Sequence, residues 1–358
     1  MGASSGIATT ALASPDTVAG SVSSGPKPVS PVPGPVSPVQ GLVSLLGLHP
    51  ATYSPHALHG PGRTYGETNC YTDILIELLH ARGLEPLAAL GCTVRVDFEG
   101  DQWTFFKPLP EDLQLLFGID IHEMQPYRPL VQQAAEQIGQ GRTLIVELDS
   151  WYLPDTQATA YRTEHVKSSV VVESIDPAGE RMRYFHGTGL YELDGEDYRG
   201  VWRLGREFSA DVLPPYTELV RFDAGRCLGG EELRETARAL LRGHLARRPA
   251  DNPFVRFGAQ LQRDLPRLLE GQASDYHDYA FATVRMAGSA FEVASSQAQW
   301  LLGDRAEPAC EALGRIVEGC KVLSFKLARR RQFEPESVLS ASATAWDEAM
   351  ESLDVALA

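Results

Sequence analysis

No run of about eighteen apolar residues occurs in the chain, so no membrane-spanning helix is predicted. Positive charge is in short supply: 32 Lys and Arg stand against 47 Asp and Glu, a net charge of −15. Nucleic acid and anionic membrane surfaces call for a cationic face, so neither is expected as a partner. Cysteine is scarce as well. Cys70, Cys92, Cys227, Cys310 and Cys320 are odd in number, widely spaced and without a CxxC pair. That argues against a disulfide framework and a zinc site, and it fits a reducing, cytoplasmic compartment. Met1 to Gly20 lacks a cationic start and a sustained apolar stretch, so it does not read as a signal peptide. No metal or cofactor is expected.

What remains is ordinary globular material, 43% hydrophobic and 22% charged, in a chain of 358 residues that can hold one large domain or two smaller ones. Residues 1–40 are rich in Ala, Ser, Gly, Val and Pro, with prolines clustered from Pro26 to Pro38. Such a segment has too little large apolar surface to offset its ordering entropy and is expected to be a disordered leader. Residues 41–228 read as a mixed α/β domain. Leu42 to Leu48 suggests a short helix, and Thr93 to Phe98 a strand with its hairpin partner at Gln102 to Lys107. Helices are expected over Pro110–Phe117 and Pro129–Ile138, and strands over Ile119–Met124, Thr143–Leu148 and Tyr216–Phe222. Residues 229–358 change character. Glu231–Arg247, Phe254–Leu269, Tyr276–Leu302, Ala306–Ala328 and Pro335–Leu353 all read as mainly helical, with Gly, Pro or Asn near most breaks.

The chemistry concentrates at Asn69-Cys70-Tyr71-Thr72-Asp73. Upstream lies a Gly- and Pro-rich loop, and downstream Ile74, Leu75, Leu78 and Leu79 recur at helical spacing. A thiol in the first turn of a helix sits at the positive end of the helix dipole, which favours the thiolate. About ninety-five residues later His165 leads into the β-branched run Val170-Val171-Val172. Cysteine opening a helix and histidine opening a later strand is the layout of papain-like thiol enzymes. The fold class expected is therefore α+β, a papain-like cysteine-enzyme domain followed by a C-terminal helical domain. Cys70 is the candidate nucleophile and His165 its base. The remaining histidines, among them His59 and His244, are by default exposed or satisfied.

A third residue would orient the imidazole. Asp176 lies eleven residues along the His165 strand, roughly 36 Å away, which is out of reach. The returning strand, Arg181–His186, brings back His186 but no Asp or Asn, and Asp149, ending the preceding strand, is the alternative. The Cys70 backbone N–H and the Asn69 side chain are candidate oxyanion donors. Trp151 and Tyr152 follow Asp149 in a loop and are candidate walls of a substrate pocket.

Three pieces carry a resemblance: Asn69-Cys70 opening a helix, Val146 to Pro154, and His165 before Val170-Val171-Val172. Over roughly residues 65–190 they resemble the N-terminal domain of butirosin biosynthesis protein H. That resemblance implies a papain-like domain and transfer of an acyl group from a carrier-protein thioester to an amine, with Cys70 as nucleophile and His165 as base. The whole chain, including Tyr184-Phe185-His186-Gly187 and Glu192 to Asp197, looks like the bacterial domain-of-unknown-function family 1839. Members of that family are often encoded near amino acid:carrier-protein ligases, which implies an acyl or aminoacyl carrier protein as partner. Arg238, Arg242, Arg247 and Arg248, or Arg329, Arg330 and Arg331, are candidates for a basic patch that would receive it. Alternatives are a cysteine peptidase or amidase using the same pair, and a non-catalytic carrier-binding protein with a degenerate papain-like fold.

Overall fold

Local signals set most element boundaries. The computed structural model describes residues 41–205, 212–329 and 331–358; the leader expected over 1–40 lies outside the described residues. The chain begins with β1 (Val43–Ser44) and passes through two short 3-10 turns to α1 (Cys70–Ala81). A long 3-10 stretch, Pro86–Arg95, leads to the hairpin β2 (Phe98–Glu99) and β3 (Gln102–Trp103). Then come α2 (Pro110–Phe117), β4 (Ile119–Glu123), α3 (Leu130–Gly139) and β5 (Thr143–Asp149). Pro110 opens α2 at a position where no N–H is needed. Gly118 closes it at a positive φ of 62°, and a Cβ there would run into the Asp223 carbonyl.

β6 (Lys167–Asp176) and β7 (Arg181–His186) form the expected hairpin, with the Gly179 N–H donating to Asp176 Oδ1 at 2.9 Å to close the turn. β8 (Gly189–Asp194) and α4 (Gly195–Val201) follow, unanticipated from the sequence, and β9 (Thr217–Phe222) is the last strand. The helical segment comprises α5 (Gly230–Leu245), α6 (Pro253–Glu270), α7 (Ala273–Ala280), α8 (Met286–Leu302), α9 (Glu307–Ala328) and α10 (Glu336–Leu357). The single helix expected over Tyr276–Leu302 is broken by a π-helical turn, Phe281–Arg285, between α7 and α8.

The sheet runs β4-β9-β5-β6-β7-β8, every pair antiparallel, with β1 against the far part of β6. Its two faces are both covered. Ile145, Val171, Phe185 and Val220 pack with Ile74, Leu75 and Leu78 of α1 in a core that continues into the C-terminal helices through Leu241, Phe257, Phe291 and Leu353. On the other face Val146, Val170, Val172 and Tyr184 meet α3 and α4. Burial on both faces explains the apolar runs Leu144-Ile145-Val146 in β5 and Val170-Val171-Val172 in β6. The protein is thus mixed α and β, an antiparallel sheet followed by a helical region. Among the described residues no helix is long and apolar enough to cross a membrane.

Two expectations are corrected. The helix expected over Leu42–Leu48 is absent because Glu173, fully buried on β6, captures the segment. Its carboxylate accepts from Ser44 Oγ at 2.7 Å, Leu46 N at 3.1 Å and Leu48 N at 3.2 Å, and its carbonyl accepts from Leu45 N at 2.7 Å. The strand expected over Thr93–Phe98 is 3-10 helix over its first half, and only Phe98 is paired, with Trp103. The 3-10 stretch packs on the helical segment, with Gly91 lying against Leu241, His244 and Gln297.

Candidate functional site

The α1 start is held from several sides. Asn69 caps the helix, its Oδ1 accepting from Thr72 N at 2.9 Å while its Nδ2 donates to the Phe106 carbonyl at 3.0 Å. Thr72 Oγ1 donates to the same carbonyl at 2.9 Å. The side chain expected to donate to an oxyanion is therefore already engaged at both ends. Replacing Asn69 by alanine should cost about 1–2 kcal/mol, read as a lowered denaturation midpoint with an unchanged slope. Cys70 is half-buried, and its Sγ donates to Ser169 Oγ at 3.7 Å.

His165 and Asp149 are brought together. Asp149 pairs in register with Lys167, so the end of β5 lies beside the approach to β6. There His165 Nδ1 and Asp149 Oδ2 are 2.7 Å apart, while Asp149 Oδ1 accepts from Trp151 N at 3.1 Å. The Trp151 indole stacks on the imidazole with centroids 4.6 Å apart and planes 11° from parallel. One carboxylate thus fixes both the imidazole and the loop that carries its aromatic cover. Beside them opens a depression of about 310 Å³, walled by Leu148, Tyr152, Val201 and Pro215. Tyr152 is itself buried, with the Arg162 guanidinium 5.3 Å from its ring centre.

Strand alternation relates this pair to the thiol. Ile145, Glu147 and Asp149 pair with Val171, Ser169 and Lys167, and Ile145 and Val171 face α1. Ser169, the Glu147–Lys167 ion pair (2.5 Å) and Asp149 therefore lie on the face that α1 covers. Four residues separate His165 from Ser169, about 13 Å of extended chain. Among the described residues no hydrogen bond joins Cys70 to His165.

His186 is placed elsewhere. It follows Phe185, which faces α1, so it turns to the opposite face with Tyr184. There Tyr184 Oη donates to Asp155 Oδ1 at 2.5 Å and His186 Nδ1 lies 2.5 Å from Asp155 Oδ2. His186, a candidate third residue beside His165, is bonded instead to Asp155 on the opposite face, because neighbours in sequence along a strand point to opposite faces.

Sequence reading passed over the most densely connected polar cluster. The His59 side chain is fully buried, held by Glu77 through Nδ1 and by Asp73 Oδ1 at 3.3 Å through Nε2. Asp73 also accepts from Thr68 N at 2.9 Å and Thr68 Oγ1 at 2.6 Å, and Glu77 from the Tyr53 hydroxyl and from His56 N at 3.0 Å. Burial alone would lower the His59 pKa, but its hydrogen bonds to the two carboxylates and their charges outweigh it and raise the value to about 9. Burial, reinforced by the nearby His80, lowers His56 to about 4. The available signal was Asp73 and Glu77 one turn apart on the apolar side of α1. Among the described residues no group of three or more His, Cys, Asp or Glu is arranged to hold a metal ion.

Several of the arginines expected to form a basic patch are engaged within the chain, while Arg330 lies outside the described residues. Arg238 pairs with Glu231, Arg248 with Asp354, and Arg242 donates to the Leu357 carbonyl at 2.7 Å.

The family model for the DUF1839 N-terminal domain matches residues 54–222, and that for the DUF1839 C-terminal domain matches residues 230–355. The chain belongs to the DUF1839 family. The first match holds α1 with Cys70, the His165–Asp149 pair and all strands from β2 to β9, and the second holds α5 to α9 and most of α10. Comparison with curated proteins found no match.

Proposed function

We propose that this protein is a cysteine-dependent acyltransferase with a papain-like arrangement, taking an acyl group from a carrier-protein thioester. The observation that supports it is the His165–Asp149 pair under its Trp151 cover, at the end of the sheet face on which the Cys70 helix begins. In this reading His165 takes the Cys70 proton, the sulfur attacks the thioester carbonyl, the carbon–sulfur bond to the carrier breaks, and the proton passes from His165 to the carrier sulfur, which leaves as its free thiol. An amine then attacks the Cys70 thioester, the carbon–sulfur bond to Cys70 breaks, and His165 moves the amine proton to the departing Cys70 sulfur. Exchange between two thiols is nearly balanced, so a positioned base and a helix start suffice to drive it. This reading requires His165 to approach Cys70 when substrate binds, across the chain that separates it from Ser169.

A second reading, a non-catalytic carrier-binding protein, is favoured by one observation: the hydrogen-bond partner of Cys70 is the Ser169 hydroxyl and not an imidazole. Intact-mass analysis separates the two. After incubation with an acyl-loaded carrier protein, the native chain should gain the mass of the acyl group and Cys70→Ala should not. No gain in the native chain, with carrier binding unchanged in Cys70→Ala, would establish the second reading.

A further inference from the structure

One face of α8 carries Arg285, Gly288, Glu292 and Ser296, spaced by three, four and four residues, and each meets the loop that leads into Cys70. Arg285, at the end of the π turn, forks its guanidinium onto two carbonyls, Thr68 O at 3.0 Å and Glu67 O at 3.2 Å. Gly288 lies under the Tyr65 ring, where a Cβ would overlap the ring atoms. Glu292 accepts from the backbone N–H groups of Thr64 and Tyr65, both at 2.8 Å. Ser296 Oγ accepts from Arg63 Nη1, whose Nη2 lies 3.7 Å from Glu292. Five of these contacts fall on backbone atoms or bury a ring, so they define where the chain runs and not merely what charge it carries. Thr68, gripped by Arg285 through its carbonyl, is bound through its N–H and hydroxyl to Asp73 in the first turn of α1.

We infer that α8 is a positioning helix for the Cys70 thiol: the Arg285–Ser296 stripe of the helical segment holds residues 63–68 and so sets the start of α1. The inference rests on Cys70 being the reactive group proposed above. It assigns the helical segment a task at the site itself, separate from any contact with a carrier. A π turn that ends at Arg285 accords with this, because such turns recur at functional sites.

The test uses the full chain, comparing native protein with Arg285→Met, Arg285→Lys, Glu292→Gln and Gly288→Ala. Amide hydrogen exchange over residues 63–72 should quicken at least tenfold in Arg285→Met and Glu292→Gln, with exchange in β6 and α10 unchanged. Arg285→Lys, which can reach one carbonyl but cannot fork two, should recover part of the protection. Maleimide labelling of Cys70 should rise at least fivefold while the exposed Cys227, an internal reference, stays constant. With acyl-loaded carrier, adduct formation at saturation should slow about tenfold at an unchanged half-saturating concentration. Exchange that rises equally across the whole protein, or does not change at 63–72, would overturn the positioning role. A native chain that forms no adduct, with the local exchange and labelling changes still present, would instead overturn the acyltransferase reading and leave α8 as the holder of the loop.

Discussion

Replacing His165 by alanine should slow acyl transfer by about 10²–10⁴-fold, the range for loss of a general base. Stability should change by less than about 0.5 kcal/mol, because the imidazole is 66% exposed and its contacts are at the surface. Asp149→Asn should give a loss of similar size, up to about 10⁴-fold. With Oδ1 held by the Trp151 N–H, the amide meets the imidazole through its NH2, which donates to Nδ1 and leaves the ring proton on Nε2, the wrong tautomer for a base. Single-turnover transfer from a loaded carrier to a small amine is the measurement, with thermal melting as the control for folding. A rate within twofold of native in His165→Ala would remove the base from the mechanism. It would direct attention to the Cys70–Ser169 contact, where Ser169→Ala would then be the informative variant.

Alkaline pH should weaken the fold through His59. Its pKa is raised from about 6.5 unfolded to about 9 folded, so the native state binds this proton more tightly. The stabilisation is complete below about pH 6.5 and is lost as pH rises through 9, amounting to roughly 3 kcal/mol over that window. His56 acts in the opposite sense. With its pKa lowered to about 4, it favours the neutral form, and its contribution fades as pH falls from about 6.5 toward 4. Urea denaturation across this range should show a stability maximum near pH 6.5 from this cluster. His59→Gln should flatten the alkaline limb and also cost roughly 3–5 kcal/mol, because Asp73 and Glu77 would keep their burial without the cation between them. An alkaline limb that persists undiminished in His59→Gln would place its origin elsewhere.

The boundaries that sequence reading found are those governed by contacts a few residues long. Asn69 before Cys70 starts α1 because its side chain reaches Thr72, three residues on. Asp176 and Gly179 close the β6–β7 hairpin because a carboxylate can meet an N–H three residues away. Pro110 and Gly118 bracket α2 for equally local reasons. The association of His165 with Asp149 was within reach as an alternative, since it needed only two consecutive strands to lie side by side.

Tertiary structure decided the rest. Glu173 binds residues 44–48 along the edge of β6 from more than a hundred positions away, overriding an apolar spacing that would otherwise suit a helix. The alternation of β7 sends Phe185 to the Cys70 face and His186 to the other, so a histidine attractive in the sequence ends up on the far side of a buried sheet. His59 becomes a buried cation only because α1 presents Asp73 and Glu77 to the loop folded over it. The α8 stripe acquires meaning only when residues some 220 positions earlier lie beneath it. In this protein the sequence by itself determined where α1, α2 and the β6–β7 hairpin begin and end, because caps, turns and periodicity act within a few residues. Which side chains surround the thiol was decided by strand register and helix packing, since those depend on partners distant in the chain that no local pattern specifies.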